Sequence, residues 1–343
     1  MPARLLAFVA AIAMVFGAVA LRDRLDQDRE KAATVLRLVC ATELGPACQA
    51  MANDDDAGRL EVTVEPAGVT TDRLSGDDGA KAALELDGWL VTAPWPALVA
   101  EASRRASRAS PVKAGPVLAR SPVVLAVWPE RANVLAKHCR VPAVSWRCLG
   151  DNAGRKWDEL GGQATWGPVK PGHREVSSAT GVVVVAAATA AFFQEAGGAI
   201  DLRDDGYLNW LTRLERSMPP SPSPLEDMLL RGPGAYDAVG ATEAEAGPLL
   251  AGSARAKPQL IYPAPVATAD VVLGTVPGRR AALLAEVVGG TAGAKALAAS
   301  GWRVRGQPAA RGVPSNPALP ESSGLPDPGV LEALRTVVRE TRP

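Results

Sequence analysis

Short runs of β-branched and apolar residues alternate with helix-compatible stretches along most of this chain, which restricts it to a sheet covered by helices on both faces. Thr34 to Cys40 reads as a first strand, with a helix running on to about Ala52. Leu60 to Glu65 alternates as a second strand, and Gly88 to Thr92 is a third, after which Pro94 opens a helix to about Ser107. A crossing punctuated by Pro, Gly and Ser follows from Ser110 to Pro122, and Val123 to Trp128 begins a second α/β series. That series holds an expected strand near Ala164 to Gly167 and a helix from Ala179 to about Gln194. This helix is apolar all round and too short to span a bilayer, so it reads as a core helix. Helices at about 205–218 and 224–230 precede a strand at 236–240. Residues 257–262 and 269–275 read as the chain crossing back to two further helices, at about 279–289 and 291–300. A Pro- and Ser-rich stretch from Gly306 to Pro328 reads as irregular, and 330–339 as a final amphipathic helix.

The compartment is set by the N-terminus. Arg4 precedes an uncharged apolar run from Leu5 to Leu21, and a charged stretch from Arg22 to Lys31 follows. Such a run is a signal peptide or a single membrane anchor. Ala18-Val-Ala20 fits a cleavage site, while the run reaches the lower limit of about 17 residues for a spanning helix. Either way the remainder is expected outside the cytoplasmic membrane, tethered or secreted. Four cysteines fall in two local pairs, Cys40/Cys48 and Cys139/Cys148, without zinc or CxxC spacing, so two disulfides are expected. Basic and acidic residues balance at 37 each, which disfavours nucleic acid as a partner.

Catalytic signatures are absent. There is no GxSxG, HExxH, P-loop or dinucleotide fingerprint, and no cofactor is expected. Ser110-Pro-Val-Lys113 matches SxxK by chance, since its proline reads as loop and no KTG accompanies it. His138 reads as a surface residue, and His173 as a lone histidine without a base partner. Three segments instead share one pattern: a strand ends, small hydroxyl residues follow, and a helix begins. They are Cys40 to Glu43, Val91 to Pro94, and Val176 to Thr180. Helix N-termini with free N–H groups bind polar or anionic ligands, and open α/β sheets place ligands there. The plainer account is that these residues are N-caps. Trp95 and Trp166 fall near these loops, where they would stack on a sugar or simply fill the core.

The segment from Trp157 through Trp166-Gly-Pro-Val-Lys-Pro-Gly-His173 to Ser177-Ser-Ala-Thr-Gly181 and its apolar helix resembles the second lobe of bacterial extracellular solute-binding proteins. These are of the type II periplasmic-binding-protein class, with the molybdate/sulfate-binding-like branch nearest. Val39 to Cys48, Tyr236 to Glu243 and Ile261 to Leu273 match in order, so the resemblance covers about residues 34–305. It implies a two-lobed α/β fold behind an N-terminal transmembrane or signal helix (1–21) and a charged stalk (22–33). Lobe one would span about 34–117 and 263–305, lobe two about 118–262, with 306–343 as a Pro-rich segment and terminal helix. By the same resemblance Thr42 and Thr92 would face the cleft from lobe one, and Ser177, Ser178 and Thr180 from lobe two. Thr242 and Glu243 would lie nearby. Glu43 and Glu243 depart from an oxyanion site, because an unpaired carboxylate repels an anion; Lys170, Arg174 or a cationic or sugar-like ligand would neutralise one. The expected role is capture of a small polar or anionic solute for a membrane transporter or for sensing, without enzymatic activity. Two alternatives stand beside it: a membrane-anchored scaffold that has kept the fold and lost its ligand, and an enzyme on a similar scaffold, which would need a nucleophile–base pair that the sequence does not display.

Overall fold

The computed structural model describes residues 35–55, 59–195, 197–253, 257–314 and 317–341; the expected N-terminal helix and stalk lie outside them. The first run comprises β1 (Leu36–Ala41), α1 (Gly45–Asp54), β2 (Leu60–Glu65), α2 (Ala67–Ser75), α3 (Gly79–Ala82), β3 (Gly88–Thr92) and α4 (Pro94–Arg105). The second opens with β4 (Lys113–Val127), α5 (Pro129–Cys139), α6 (Trp146–Asn152), β5 (Pro171–His173) and α7 (Gly181–Glu195). It continues with α8 (Asp205–Arg216), α9 (Pro224–Arg231), β6 (Ala238–Thr242) and α10 (Glu243–Gly252). The chain returns through β7 (Gln259–Ile261) and β8 (Thr268–Thr275) to α11 (Arg279–Gly289), α12 (Thr291–Ala299) and α13 (Pro328–Thr341).

The strands form one mixed sheet in the order β2-β1-β3-β8-β4-β6-β5, with β7 also paired to β4. β1 runs parallel to β2 and β3, as βαβ crossovers require. β8 is antiparallel to both β3 and β4, and so joins the two α/β series. The punctuated crossing at 110–122 is not a loop: it is the first half of the 15-residue strand β4. Gly115 and Pro116 fall where the register against β8 slips between Ala114 and Val117, so a bulge absorbs the proline that a regular ladder would reject. In its second half β4 is buried on both faces. Val123, Leu125 and Val127 enter the main core, while Val124, Ala126 and Trp128 enter a smaller core with Met228, Tyr236 and Val239.

Other expectations shift for local reasons. Ala164–Trp166 is a short 3₁₀ turn rather than a strand. The strand of that region is β5, whose Pro-Gly-His sequence carries no β-branched signal. The apolar helix forms as α7, and Gly240 of β6 lets it approach the sheet. A Cβ there would stand 2.5 Å from Trp146 and 2.6 Å from Val184. Both disulfides form: Cys40–Cys48 ties the end of β1 to α1, and Cys139–Cys148 ties α5 to α6. Among the described residues no single helix is long and apolar enough to cross a membrane.

The chain end lies over the join between the two series. Arg303 and Arg120 exchange backbone hydrogen bonds at 2.8 and 2.9 Å, and the Thr268 N–H donates to the Ser323 carbonyl at 2.9 Å. Arg120 also pairs with Asp270 at 2.8 Å and donates to the Pro320 carbonyl at 2.6 Å. Beyond this strap, α13 packs against α4 of the first series and α7 and α8 of the second. It buries Leu331, Leu334, Arg335 and Val338 there.

A buried ion pair fixes the second series internally. Asp237, fully buried, accepts from Arg131 Nε at 2.8 Å and from the Lys170 N–H at 2.8 Å. The Arg131 guanidinium lies 3.4 Å over the Trp166 ring. Trp166 is therefore spent on this stack. Removing one member strands a buried charge, so Asp237→Ala is expected to cost about 3–5 kcal/mol. Urea unfolding checks this, with a fall in midpoint at unchanged slope as the expected result.

Candidate interlobe site

The three strand-end segments converge, and they do so mostly by bonding to one another. The Thr92 hydroxyl, fully buried at the end of β3, donates to the Ala179 carbonyl at 2.9 Å. Trp95, also fully buried, donates its indole N–H to the same oxygen at 3.3 Å. The Gly68 N–H at the start of α2 donates to the Ser177 carbonyl at 2.7 Å. A Cβ on Gly68 would stand 3.1 Å from the Ser177 backbone, so glycine permits this approach. Ser178 caps α7, its hydroxyl accepting from the Gly181 N–H at 2.9 Å, and the Ser177 hydroxyl donates to Glu175 at 3.3 Å.

A carboxylate cluster forms where these segments meet. Glu43 Oε1 accepts from the Thr180 N–H at 3.2 Å and from its hydroxyl at 3.1 Å. That hydroxyl lies 3.2 Å from Glu245 Oε1, so one proton is shared between two carboxylates. Glu245 is fully engaged: Oε1 takes Arg174 Nε at 2.7 Å, and Oε2 takes the Thr242 hydroxyl at 2.8 Å in a capping box that starts α10. Arg174 turns its other end to Glu226 Oε1 at 2.9 Å and the Pro222 carbonyl at 3.1 Å. Glu43 as a residue is half-buried, yet its Oε2 is enclosed and has no hydrogen-bond partner; Glu226 Oε2 is in the same condition.

These groups line a pocket of about 360 Å³. Thr42 and Glu43 come to it from the end of β1, and Arg174, Glu226 and Glu245 from the second series. Trp302 and Ser300, which follow α12, complete one wall with Pro46, Pro248 and Leu249. A larger hollow of about 510 Å³ lies among α2, α3 and α4, but its residues come from the first series and Val276 alone.

Of the residues expected from sequence, Thr42 and Glu43 line this pocket. Thr92, Ser177, Ser178 and Thr180 build the junction behind it. Thr242 is buried as the cap of α10. Glu243, fully buried, is held by Arg303 through two bonds of 2.7 Å and by the Tyr262 hydroxyl, so it is a structural pair. Arg174, Glu226, Glu245 and Trp302 were not singled out as site residues, although Arg174 was foreseen as a neutralising partner. His173 has a partner after all: its ring nitrogens contact Glu215 Oε1 at 2.9 Å and the Arg174 carbonyl at 2.6 Å. Both His173 and Glu215 are buried, and neither lines the pocket. His138 is exposed. Among the described residues no group of three His, Cys, Asp or Glu side chains is placed to hold a metal ion.

Burial, reinforced by neighbouring Glu245, raises the Glu43 pKa above its ordinary value near 4.5. Burial alone would lower Arg174, but Glu245, Glu226 and Glu43 together hold it above its ordinary value. A carboxyl whose pKa is raised in the fold favours the protonated form there. Ionised Glu43 therefore costs stability above that raised pKa, and the cost vanishes below about pH 4. Glu43→Gln is expected to raise the melting temperature at pH 8. The gain should be gone at pH 4. Calorimetry of the variant and parent at both pH values checks the sign; equal melting temperatures at pH 8 would refute it.

With the fold and the pocket in place, the chain is seen to have the two-lobed type II periplasmic-binding-protein fold. Iron-bound HitA from Pseudomonas aeruginosa superposes with a TM-score of 0.59 at 16% identity, over 90% of this chain and 99% of that one. AfuA from Actinobacillus pleuropneumoniae, with exogenous fructose-6-phosphate bound, gives 0.59 at 12% identity, over 90% and 97%. A periplasmic thiamin binding protein gives 0.58 at 11% identity, over 90% and 96%. No family model matches the sequence, and neither does any curated protein. The three solved structures are described as iron-bound, fructose-6-phosphate-bound and thiamin-binding, so the likeness is one of architecture.

Proposed function

We propose that the protein is an extracytoplasmic solute-binding protein that captures a small polar solute between its lobes, for a membrane transporter or for sensing. The first lobe would comprise about 34–117 and 263–305, the second about 118–262, joined through β4 and the return from β7 to β8. One observation carries this reading: a pocket of about 360 Å³ draws polar side chains from both series, and two of its lining residues, Glu43 and Glu226, each carry a buried carboxylate oxygen without a partner. Polar groups left unmatched in a folded protein cost free energy, which a ligand that matches them recovers. A ligand touching both lobes would favour the closed arrangement over an open one. The fold shared with solute-binding proteins supports the same reading, as does the pair of disulfides expected of an exported chain.

Thermal unfolding of the full chain against oxyanions, sugars, amino acids and amines tests it. A ligand at 100 times its dissociation constant adds about 2.7 kcal/mol of stability. The shift should disappear in Thr42→Trp, because Thr42 is exposed at the pocket and a large ring there fills it without disturbing the core. No shift with any class would overturn the reading.

A second reading, a membrane-anchored interaction module, is favoured by α13. This helix bridges both series, and the Arg335 guanidinium, almost fully buried, lies 4.6 Å from the Trp95 ring centroid. Leu334→Asp is expected to release the helix and enlarge the radius of gyration in solution scattering. On the solute-binding reading the parent chain must itself open measurably; a parent that never opens and a variant that does would favour the module.

A further inference from the structure

The pocket's charge selects among solutes. Three carboxylates, Glu43, Glu226 and Glu245, face it with one guanidinium, Arg174. Arg174 is already committed to Glu245 and Glu226, and Glu245 has both oxygens engaged. What remains for a ligand is the hydroxyls of Thr42 and Ser300, which donate or accept, and two acceptors: Glu43 Oε2 and Glu226 Oε2, each buried and without a partner. An anion would meet these oxygens as like charge in a poorly solvated site. A neutral polyol would match them with uncharged hydrogen bonds, whereas a cationic N–H donor would match them with charge-assisted ones, about twice as strong. The rest of the lining suits the body of such a ligand. Pro46, Pro248 and Leu249 present apolar surface, and Trp302, 1% exposed, contributes only an edge of its ring to the lining. A bare metal ion fits poorly, since no metal-holding group of three such side chains occurs among the described residues.

We infer that the solute is a small organic cation, with an ammonium or guanidinium group bridging Glu43 and Glu226 and a short alkyl body against Pro46, Pro248 and Leu249. This rests on the solute-binding reading and narrows it. The site then differs from an oxyanion site in kind: the carboxylates that would repel sulfate or molybdate are the recognition elements.

The test is titration calorimetry of the full, oxidised chain in mild detergent at pH 7.5. The probes are putrescine and agmatine as cations, 1,4-butanediol as the neutral isostere of putrescine, and glucose, succinate and molybdate. The expected result is binding of putrescine or agmatine, weakened at least tenfold in both Glu43→Gln and Glu226→Gln, with the diol and the anions silent. Circular dichroism of both variants establishes that they fold, and each serves as the other's check. Binding of glucose, butanediol, succinate or molybdate, blocked by Thr42→Trp while the amines stay silent, would overturn the cationic assignment and leave solute binding standing. Silence from all six would overturn the cationic assignment, while a thermal shift with another solute class would leave solute binding standing. Amine binding unchanged in both Gln variants would overturn the assignment of these carboxylates.

Discussion

The antiparallel ladder between β4 and β8 joins the two halves of the sheet, and the walls of the junction pocket are placed by it. β8 brings the chain back between β3 and β4, so the C-terminal ends of β1 and β3 open onto the same space as the start of α7 and α10. Arg120, on that ladder, spends its donors on Asp270 and on carbonyls of the chain end. The ladder is therefore sealed on the outside by the polypeptide's own later residues. Pro116 is tolerated in this strand because a bulge takes up its missing donor and because the paired strand is fixed on both sides.

Much of this architecture was legible in the residues. β2, β3, α4, α7, α11 and α12 fall within a few positions of where alternation, helix-opening prolines and apolar periodicity place them. Both disulfides follow from the local pairing of cysteines in an exported chain. The misses have a common cause. The first half of β4 looks like a loop because Gly115, Pro116 and Pro122 are local signals against a strand, and the partner strand that overrides them lies about 150 residues away in sequence, as the pairing of Arg120 with Asp270 shows. β5 is three residues long and gains its register only from β6.

The site was legible in part, for the same physical reason. Thr42 and Glu43 sit at the end of a strong strand, so their place follows from local order. Glu226, Glu245 and Trp302 sit on or beside helices whose relation to β1 is set by tertiary packing, and no local pattern marks them. Small hydroxyl residues after strands were the visible signal, but most of those hydroxyls and backbone groups are consumed in tying the two series together. Thr92 holds Ala179 and Thr180 holds Glu43. The signal located the junction correctly and said little about which chemistry was left over for a ligand.

The position of α13 has a consequence for how the molecule is made. The helix that spans both series is the last described element in the chain, and β8 is synthesised well before it. A nascent chain can thus complete its sheet, with both halves joined through β4 and β8, while the surfaces of α4, α7 and α8 that α13 will cover are still bare. Any state in which the sheet has formed but residues 328–341 have not docked leaves an apolar seam exposed on α4, α7 and α8. That seam is where a chaperone would hold it, and where a product cut short before residue 328 would stick to its neighbours.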